Sequence, residues 1–97
     1  MATLRYTDRA IADLVRLASF LRESDREAAD STAGVIEHGL GILELHPLVG
    51  RAVEHGCREL VISRGRSGYI ALYRYRPVDD AVFVLAIRHQ REAGFQD

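Results

Sequence analysis

The chain has 97 residues, of which 47% are apolar and 28% charged, and its net charge is −1. This length supports one domain over residues 1–97 with a single core. No segment approaches the ~20 consecutive apolar residues of a membrane helix, and the N-terminus lacks the apolar core of a signal peptide. Because Cys57 is the only cysteine, no internal disulfide can form. We therefore expect a cytoplasmic protein that does not act at a membrane.

Positive charge is concentrated in the second half of the chain. Residues 1–50 hold five arginines and eight acidic residues, a balance of −3, whereas residues 51–97 hold eight arginines and six acidic residues, a balance of +2. All 13 basic residues are arginine. A GC-rich genome would produce this bias, but the planar guanidinium also suits phosphate and carboxylate. Composition thus leaves an anion-binding surface open.

The first half of the sequence predicts a short strand followed by two helices. A strand is expected at Thr3–Tyr6, after which Thr7 can cap a helix that continues to about Arg22. Its apolar residues recur at spacings of three and four, which is typical of an amphipathic helix: Ile11, Leu14, Val15, Ala18 and Leu21.

A second helix is predicted to follow at once. Ser24 to Glu27 has the S-x-x-E form of a capping box, and the helix should end by Leu45 because Pro47 restricts the residue before it. Its expected apolar stripe is Ala28, Ala29, Thr32, Val35, Ile36, Leu40 and Leu43. Glycines at positions 34, 39 and 41 each cost up to ~1 kcal/mol in a helix, and close contact with a neighbouring helix or sheet would explain them.

The second half predicts an antiparallel sheet. An irregular connector, His46–Gly56, precedes three strands joined by turns: Arg58–Ser63, the turn Arg64–Gly68, Tyr69–Arg76, the turn Pro77–Asp80 and Ala81–Arg91. The order is β-α-α-β-β-β. We expect an α+β domain in which the helical hairpin covers one face of a mostly antiparallel sheet.

Alternation of side chains assigns the polar groups of the strands to faces. In the last strand one face should carry Phe83, Leu85, Ile87, His89 and Arg91, and the other Val82, Val84, Ala86, Arg88 and Gln90. In the strand before it, Tyr69, Ala71, Tyr73 and Tyr75 share a face. A regular hairpin would place residues 88–91 beside Gly68 and Tyr69. The expected meeting point therefore contains His89, Arg91, Tyr69 and Arg66.

Two stretches resemble a known family. The run CRELVISRGRSGYIALYRY (57–75), followed by VFVLAIRHQREAGF (82–95), is similar to the RelE/ParE toxins of bacterial type II toxin–antitoxin modules, which include plasmid stabilisation systems. The connector HPLVGR (46–51) and the helical hairpin also fit. The resemblance implies a RelE/ParE-like fold and a cognate antitoxin that wraps the toxin in a hetero-oligomeric complex. It implies no cofactor, no metal and no small-molecule substrate.

The two branches of this family differ in their targets. ParE-like members inhibit DNA gyrase, have no recognised catalytic set and carry an H-x-R element at the end of the last strand, which His89 and Arg91 match. RelE-like members cleave mRNA on the ribosome without a metal, through attack of a ribose 2′-hydroxyl. This chain has no lysine and has Phe95 in place of the terminal tyrosine, although it keeps Arg91-Glu92. We favour the ParE-like branch, with a RelE-like endonuclease or an inactive binding-only relative as alternatives.

The candidate site residues follow from these alternatives. A ribonuclease would use His89 and Arg91, with Glu59 as a weaker candidate because it can form an ion pair with Arg58. The expected residues for target or antitoxin binding are Arg66, Tyr69, Tyr73, Arg88 and Arg91. Each also has a plain structural interpretation: a locally packed histidine, solvated arginines and a tyrosine stripe beneath a partner element. His55 and Cys57 are too few for a metal site.

Overall fold

The computed structural model describes residues 1–22, 26–62, 68–92 and 94–95. It has the expected α+β architecture, and its elements are β1 (Thr3–Tyr6), α1 (Asp8–Arg22), α2 (Arg26–Leu40), α3 (Ile42–Leu45), β2 (Arg51–Ala52), β3 (Arg58–Ile62), β4 (Tyr69–Arg76) and β5 (Ala81–His89). A 3₁₀ turn at Glu54–Gly56 separates β2 from β3. In the described part of the chain, no helix is both long and apolar enough to cross a bilayer. The capping box at Ser24 and the turn at Arg64 lie outside the described residues.

The strands form one five-stranded sheet in the order β1-β5-β4-β3-β2. Only β1 and β5 pair in parallel, with Thr3 opposite Ala81, while the other neighbours are antiparallel. This order makes β5 an internal strand beside both β1 and β4. The mostly antiparallel sheet predicted from the sequence is therefore confirmed.

One face of the sheet is covered by the helices and forms the core. Its largest fully buried side chains come from helices and strands alike: Tyr73, Ile36, Leu40, Leu43, Ile87, Val82 and Val84. A Cβ atom at Gly39 would lie 2.5 Å from Cγ2 of Ile62, so α2 lies directly against β3. Close packing thus explains Gly39, whereas a Cβ at Gly34 would meet open space.

Three element boundaries differ from the prediction. The second helix ends at Leu40, and a break at Gly41, whose N–H donates to the carbonyls of Glu37 and His38, precedes α3. The connector contains the two-residue strand β2, which is too short to show periodicity. The last strand ends at His89 rather than Arg91 because the chain turns there, with the Glu92 N–H donating to the His89 carbonyl at 3.0 Å.

A β-bulge changes the faces of the last strand. Leu72 pairs with Ala86 and Tyr73 with Val84, so Leu85 is an extra residue in β5. Beyond the bulge, Ile87 and His89 therefore lie on the helix-covered face with Val82 and Val84. The single alternation expected for residues 82–91 is wrong after Val84, because the inserted residue reverses the parity of all that follow.

Candidate functional site

The site is at the C-terminal end of β5, where His89 lies opposite Tyr69. The two rings meet edge to face, with centroids 5.5 Å apart and an interplanar angle of 87°. The backbone N–H of Arg91 donates to Nδ1 of His89 at 3.1 Å. Since Nδ1 is an acceptor here, the neutral ring carries its proton on Nε2. The unprotonated nitrogen of the neutral ring, Nδ1, is therefore occupied by a backbone N–H, and Nε2 carries the ring N–H donor.

Arg91 lies in the turn that follows His89, and its side chain is exposed. The turn is held by the N–H of Gln90, which donates to the Gly68 carbonyl at 2.9 Å. Within the described residues, the Arg91 guanidinium has no partner. The predicted contact of His89 with Tyr69 is confirmed. Arg91 reaches His89 through its backbone N–H, and Arg66 lies outside the described residues. We call residues 89–91 the His89–Arg91 turn.

Arg88 lies on the opposite face and organises the segment after the turn. Its Nη1 donates to the carbonyls of His89, Gln90 and Glu92 at 3.3, 3.4 and 2.9 Å. Its guanidinium also lies over the ring of Phe95, 5.2 Å from the centroid, in a cation–π contact. Phe95 thus has a packing role that needs no hydroxyl. The cation of Arg88 is engaged within the chain, whereas that of Arg91 has no partner among the described residues.

The outer edge of β5 is closed by side chains once β1 has ended. Strand pairing stops where Tyr6 lies opposite Val84. The hydroxyl of Thr7 then contacts the Leu85 carbonyl at 3.1 Å, and Oδ2 of Asp13 accepts the N–H of Ile87 at 2.9 Å. Asp13 is only 4% exposed. A carboxylate is tolerated there because it replaces the missing strand as a hydrogen-bond acceptor.

Arg16 and Glu92 continue this closure to the His89–Arg91 turn. Nη2 of Arg16 is 3.6 Å from the Asp13 carboxylate and donates to the Ile87 carbonyl at 3.4 Å, while its Nη1 donates to Glu92 at 3.0 Å. The other oxygen of Glu92 accepts the N–H of His89 at 2.9 Å. We call Thr7, Asp13, Arg16 and Glu92 the edge ladder. Sequence reasoning missed it, because the residues joined are far apart in the chain.

Glu59 is not brought to the site. Its carboxylate accepts a hydrogen bond from Arg51 at 2.7 Å, not from Arg58. Glu59 is paired with Leu72, which alternation places on the sheet face opposite Tyr69 and hence opposite His89. Glu59 does form an ion pair, but the expected partner is wrong: Arg58 donates to the carbonyls of Leu48 and Gly50, and Arg51 pairs with Glu59 instead. In the described site, Glu59 and His89 do not form a joint catalytic group.

Tyr69 and Tyr73 are core residues, with exposures of 3% and 0%. The element that covers this tyrosine stripe is the chain's own helical layer, so their expected role on an exposed binding surface is wrong. The Oη of Tyr73 accepts the N–H of Gly50 at 2.9 Å, which ties the connector before β2 to the sheet. Burial raises the pKa of the Tyr73 phenol, although this N–H and the charge of Arg58 lower it in part.

A second surface lies between α1 and α2, away from the sheet. Ile11 and Val15 of α1 are 50% and 61% exposed, whereas Ala10 and Leu17 fill the core. The apolar stripe predicted for α1 therefore points partly to an open groove. The groove has a volume of about 320 Å³, and its lining is largely apolar: Ile11, Leu14, Val15, Ala18, Ser19, Ala33 and Glu37. The sequence contained one signal for this groove, since the apolar residues of α1 cover more than one face of the helix.

Two solved structures similar to this fold come from toxin–antitoxin systems. The chromosomal ParDE TA system from P. aeruginosa contains a chain that superposes with a TM-score of 0.78 at 24% identity, over 92% of this chain and 96% of that one. The intact E. coli RelBE toxin–antitoxin complex gives a TM-score of 0.65 at 18% identity, over 95% of this chain and 100% of that one. These likenesses show the fold.

Sequence comparison shows the family. Residues 4–94 match the family described as "ParE toxin of type II toxin-antitoxin system, parDE". A curated relative, Toxin RelE3 of Caulobacter vibrioides, is 35% identical over 92 residues, which cover 95% of this chain and 98% of the relative. The chain belongs to the RelE/ParE family of type II toxin–antitoxin toxins.

Proposed function

We propose that this toxin inhibits DNA gyrase by docking through the His89–Arg91 turn, and that a cognate antitoxin neutralises it. The turn combines a guanidinium without a partner in the described chain and a histidine ring N–H. Both groups donate hydrogen bonds, and the arginine is always charged, so together they fit an acidic or carbonyl-rich protein surface. The match to the ParE family supports this branch.

The observation that carries the proposal is the hydrogen bond from the Arg91 N–H to His89 Nδ1. Attack by a ribose 2′-oxygen needs a base close to that oxygen and an acid at the leaving oxygen. His89 has its acceptor nitrogen occupied, and Glu59 lies on the other face of the sheet. Phe95 has no hydroxyl and the chain has no lysine. A docking surface needs none of these groups.

We further propose that the antitoxin covers the groove between α1 and α2. The apolar side chains Ile11 and Val15 are half or more exposed, and an amphipathic helix presents anchors at the spacing that such a groove accepts. Solved toxin complexes with this fold contain an antitoxin, as the RelBE complex does. The groove and the His89–Arg91 turn share no residues. Antitoxin bound in the groove is therefore a separate contact from any that the antitoxin makes with the turn.

A paired assay tests the target. Purified toxin is added to a gyrase supercoiling reaction and, separately, to ribosomes programmed with a defined mRNA. We expect loss of supercoiling with stabilised DNA breaks, and no new 5′ ends on the mRNA. New 5′ ends that depend on the ribosome, with intact supercoiling, would overturn the gyrase proposal.

Two substitutions test the docking turn. Arg91→Ala should raise the toxin concentration needed for half inhibition at least about tenfold, since a charged contact at an interface centre is lost. His89→Ala should have a smaller effect. Arg76→Ala, an exposed arginine near the opposite end of the β4–β5 hairpin, is the matched control and should change little. Equal losses for Arg91→Ala and Arg76→Ala would contradict docking through this turn.

Ribosome-dependent mRNA cleavage is the second candidate, and the curated name of Toxin RelE3 favours it. In that case His89→Ala and Arg91→Ala should lower cleavage by orders of magnitude while ribosome binding persists. A protein that binds its antitoxin but is inert in both assays would be the inactive relative.

The antitoxin groove has its own test. Val15→Glu places a charge in the groove, while Val78→Glu does so in an exposed turn where the valine is 84% exposed. We expect Val15→Glu alone to weaken binding of the antitoxin encoded beside the toxin gene, by about 100-fold or more. Gyrase inhibition should persist. Unchanged antitoxin binding by Val15→Glu would place the antitoxin elsewhere.

A further inference from the structure

Past Val84, no strand of the described chain lies beside the outer edge of β5 that leads to the His89–Arg91 turn. Beyond Val84 the hydrogen-bonding groups of β5 are matched in sequence by side chains. The partners are Thr7 for the Leu85 carbonyl, Asp13 and Arg16 for the N–H and carbonyl of Ile87, and Glu92 for the His89 N–H. Side chains from Thr7, α1 and Glu92 thus take the place of a continuation of β1.

Arg16 is the member that links the two ends of this ladder. One nitrogen of its guanidinium faces Asp13 and the Ile87 carbonyl, and the other donates to Glu92 at 3.0 Å. Glu92 receives this bond on one oxygen and caps the His89 N–H with the other. Arg16 and Glu92 therefore connect the His89 backbone to α1.

We infer that Arg16 is a positioning residue, which sets the His89–Arg91 turn for target docking by fixing Glu92 against the His89 backbone. Arginine suits this task because its planar fork serves separate acceptors at once, which the single ammonium of lysine does less well. The docking half of this inference rests on the proposed function, while the positioning half concerns the toxin alone.

Two measurements on the free toxin test the positioning. Amide hydrogen exchange reports the His89 N–H, and ¹⁵N NMR of the imidazole reports whether Nδ1 remains the acceptor. In Arg16→Ala we expect the His89 amide to exchange at least about tenfold faster, with Ala71 in the core of β4 unchanged. The ring should shift from the Nε2–H form towards a mixture of tautomers. Arg16→Lys should give intermediate values on both measurements.

The matched control is Arg76→Ala. Arg76 also pairs with a carboxylate, that of Asp79, at 3.1 Å, but near the opposite end of the β4–β5 hairpin. It should leave both His89 signals unchanged. Unaltered signals in folded Arg16→Ala, or faster exchange at Ala71 and His89 alike, would overturn the positioning role. If Arg16→Ala fails to fold, wild-type signals in Arg16→Lys would overturn it, and a selective change at His89 would support it.

Inhibition assays on the same proteins decide the docking half. Arg16→Ala should need about tenfold more folded toxin for half inhibition of gyrase, with Arg16→Lys between it and wild type. Full potency despite a disturbed turn would overturn this half. If wild-type toxin leaves gyrase active, the proposed function and the docking half fall together, while the exchange and NMR results still decide the positioning.

Discussion

Two strands of the sheet extend beyond a shorter neighbour, and the chain completes their edges differently. On β5, buried Asp13 and partly buried Arg16 of α1 replace the strand that ends opposite Val84. On β3, the short strand β2 pairs only at Arg58 and Glu59, and in the side-chain pair Arg51–Glu59 the arginine is 77% exposed while the glutamate is 18% exposed. Because solvent screens exposed charges, we expect the contacts of Asp13 and Arg16 to contribute more to stability than the exposed guanidinium of Arg51. The more buried set also borders the candidate site.

The largest effect should come from Asp13→Ala at the β5 edge. This substitution leaves the buried N–H of Ile87 without an acceptor and removes a charge beside Arg16, which together should cost about 3 kcal/mol of the free energy of unfolding. Urea unfolding followed by circular dichroism measures it. Asp79→Ala at an exposed turn is the control and should change stability by less than about 0.5 kcal/mol. Equal costs would remove the contrast between buried and solvated charge.

Tyr73→Phe should have the next largest effect, at the β3 edge. The phenol holds the connector through the Gly50 N–H, and a Cβ at Gly50 would lie 2.6 Å from Tyr73 Oη, so no space remains for another acceptor. Loss of this buried hydrogen bond should cost about 1–2 kcal/mol, again measured by urea unfolding. A neutral result would mean that the other contacts of this segment, such as the hydrogen bonds from Arg58 to the carbonyls of Leu48 and Gly50, hold it without the phenol.

Alkaline pH should reduce stability through the same phenol. Burial raises the pKa of folded Tyr73 above its ordinary value of 10.0. The folded state therefore holds this proton more tightly, and the resulting stability is present below pH 10.0 and lost as the pH rises through the raised pKa. Between about pH 8 and 11, the midpoint temperature of thermal unfolding should fall less steeply with rising pH in Tyr73→Phe than in wild type. Parallel curves would exclude Tyr73 as the source.

The smallest effect should follow from Arg51→Ala. Its ion pair with Glu59 is short, at 2.7 Å, but solvent and salt screen an exposed guanidinium. We expect a loss below about 0.5 kcal/mol, which 0.5 M salt should largely abolish in urea unfolding experiments. A cost comparable to that of Asp13→Ala would show that exposure is not what separates the two edges.

Local sequence signals predicted the elements well but not the arrangement of the site. Periodicity found both long helices, and the Thr7 cap is confirmed by the hydroxyl that accepts the Ala10 N–H at 3.2 Å. The bulge at Leu85 was not predictable in this way, because an apolar run such as VFVLAI has the same composition with or without an extra residue. One unseen residue was enough to exchange the predicted faces of Ile87 and His89.

The edge ladder was missed for a different reason. Arg16 and Glu92 form a direct contact although 76 residues separate them in the chain, and a single sequence contains no pattern that links such positions. Asp13 would have been the best signal, since a carboxylate on the core side of an amphipathic helix requires a partner. The tyrosine stripe was correctly placed on one face, but only the structure shows that helices of this chain cover it.

The parallel pairing of β1 with β5 has a consequence for biosynthesis. Thr3 pairs with Ala81, so β1 leaves the ribosome before the strand that it pairs with, β5, has been translated. A nascent chain that stops before residue 81 has both helices but lacks Val82, Val84 and Ile87, three of its largest fully buried side chains. Such a chain has neither a completed core nor the His89–Arg91 turn. Translation must therefore pass β5 before the cell contains a folded toxin.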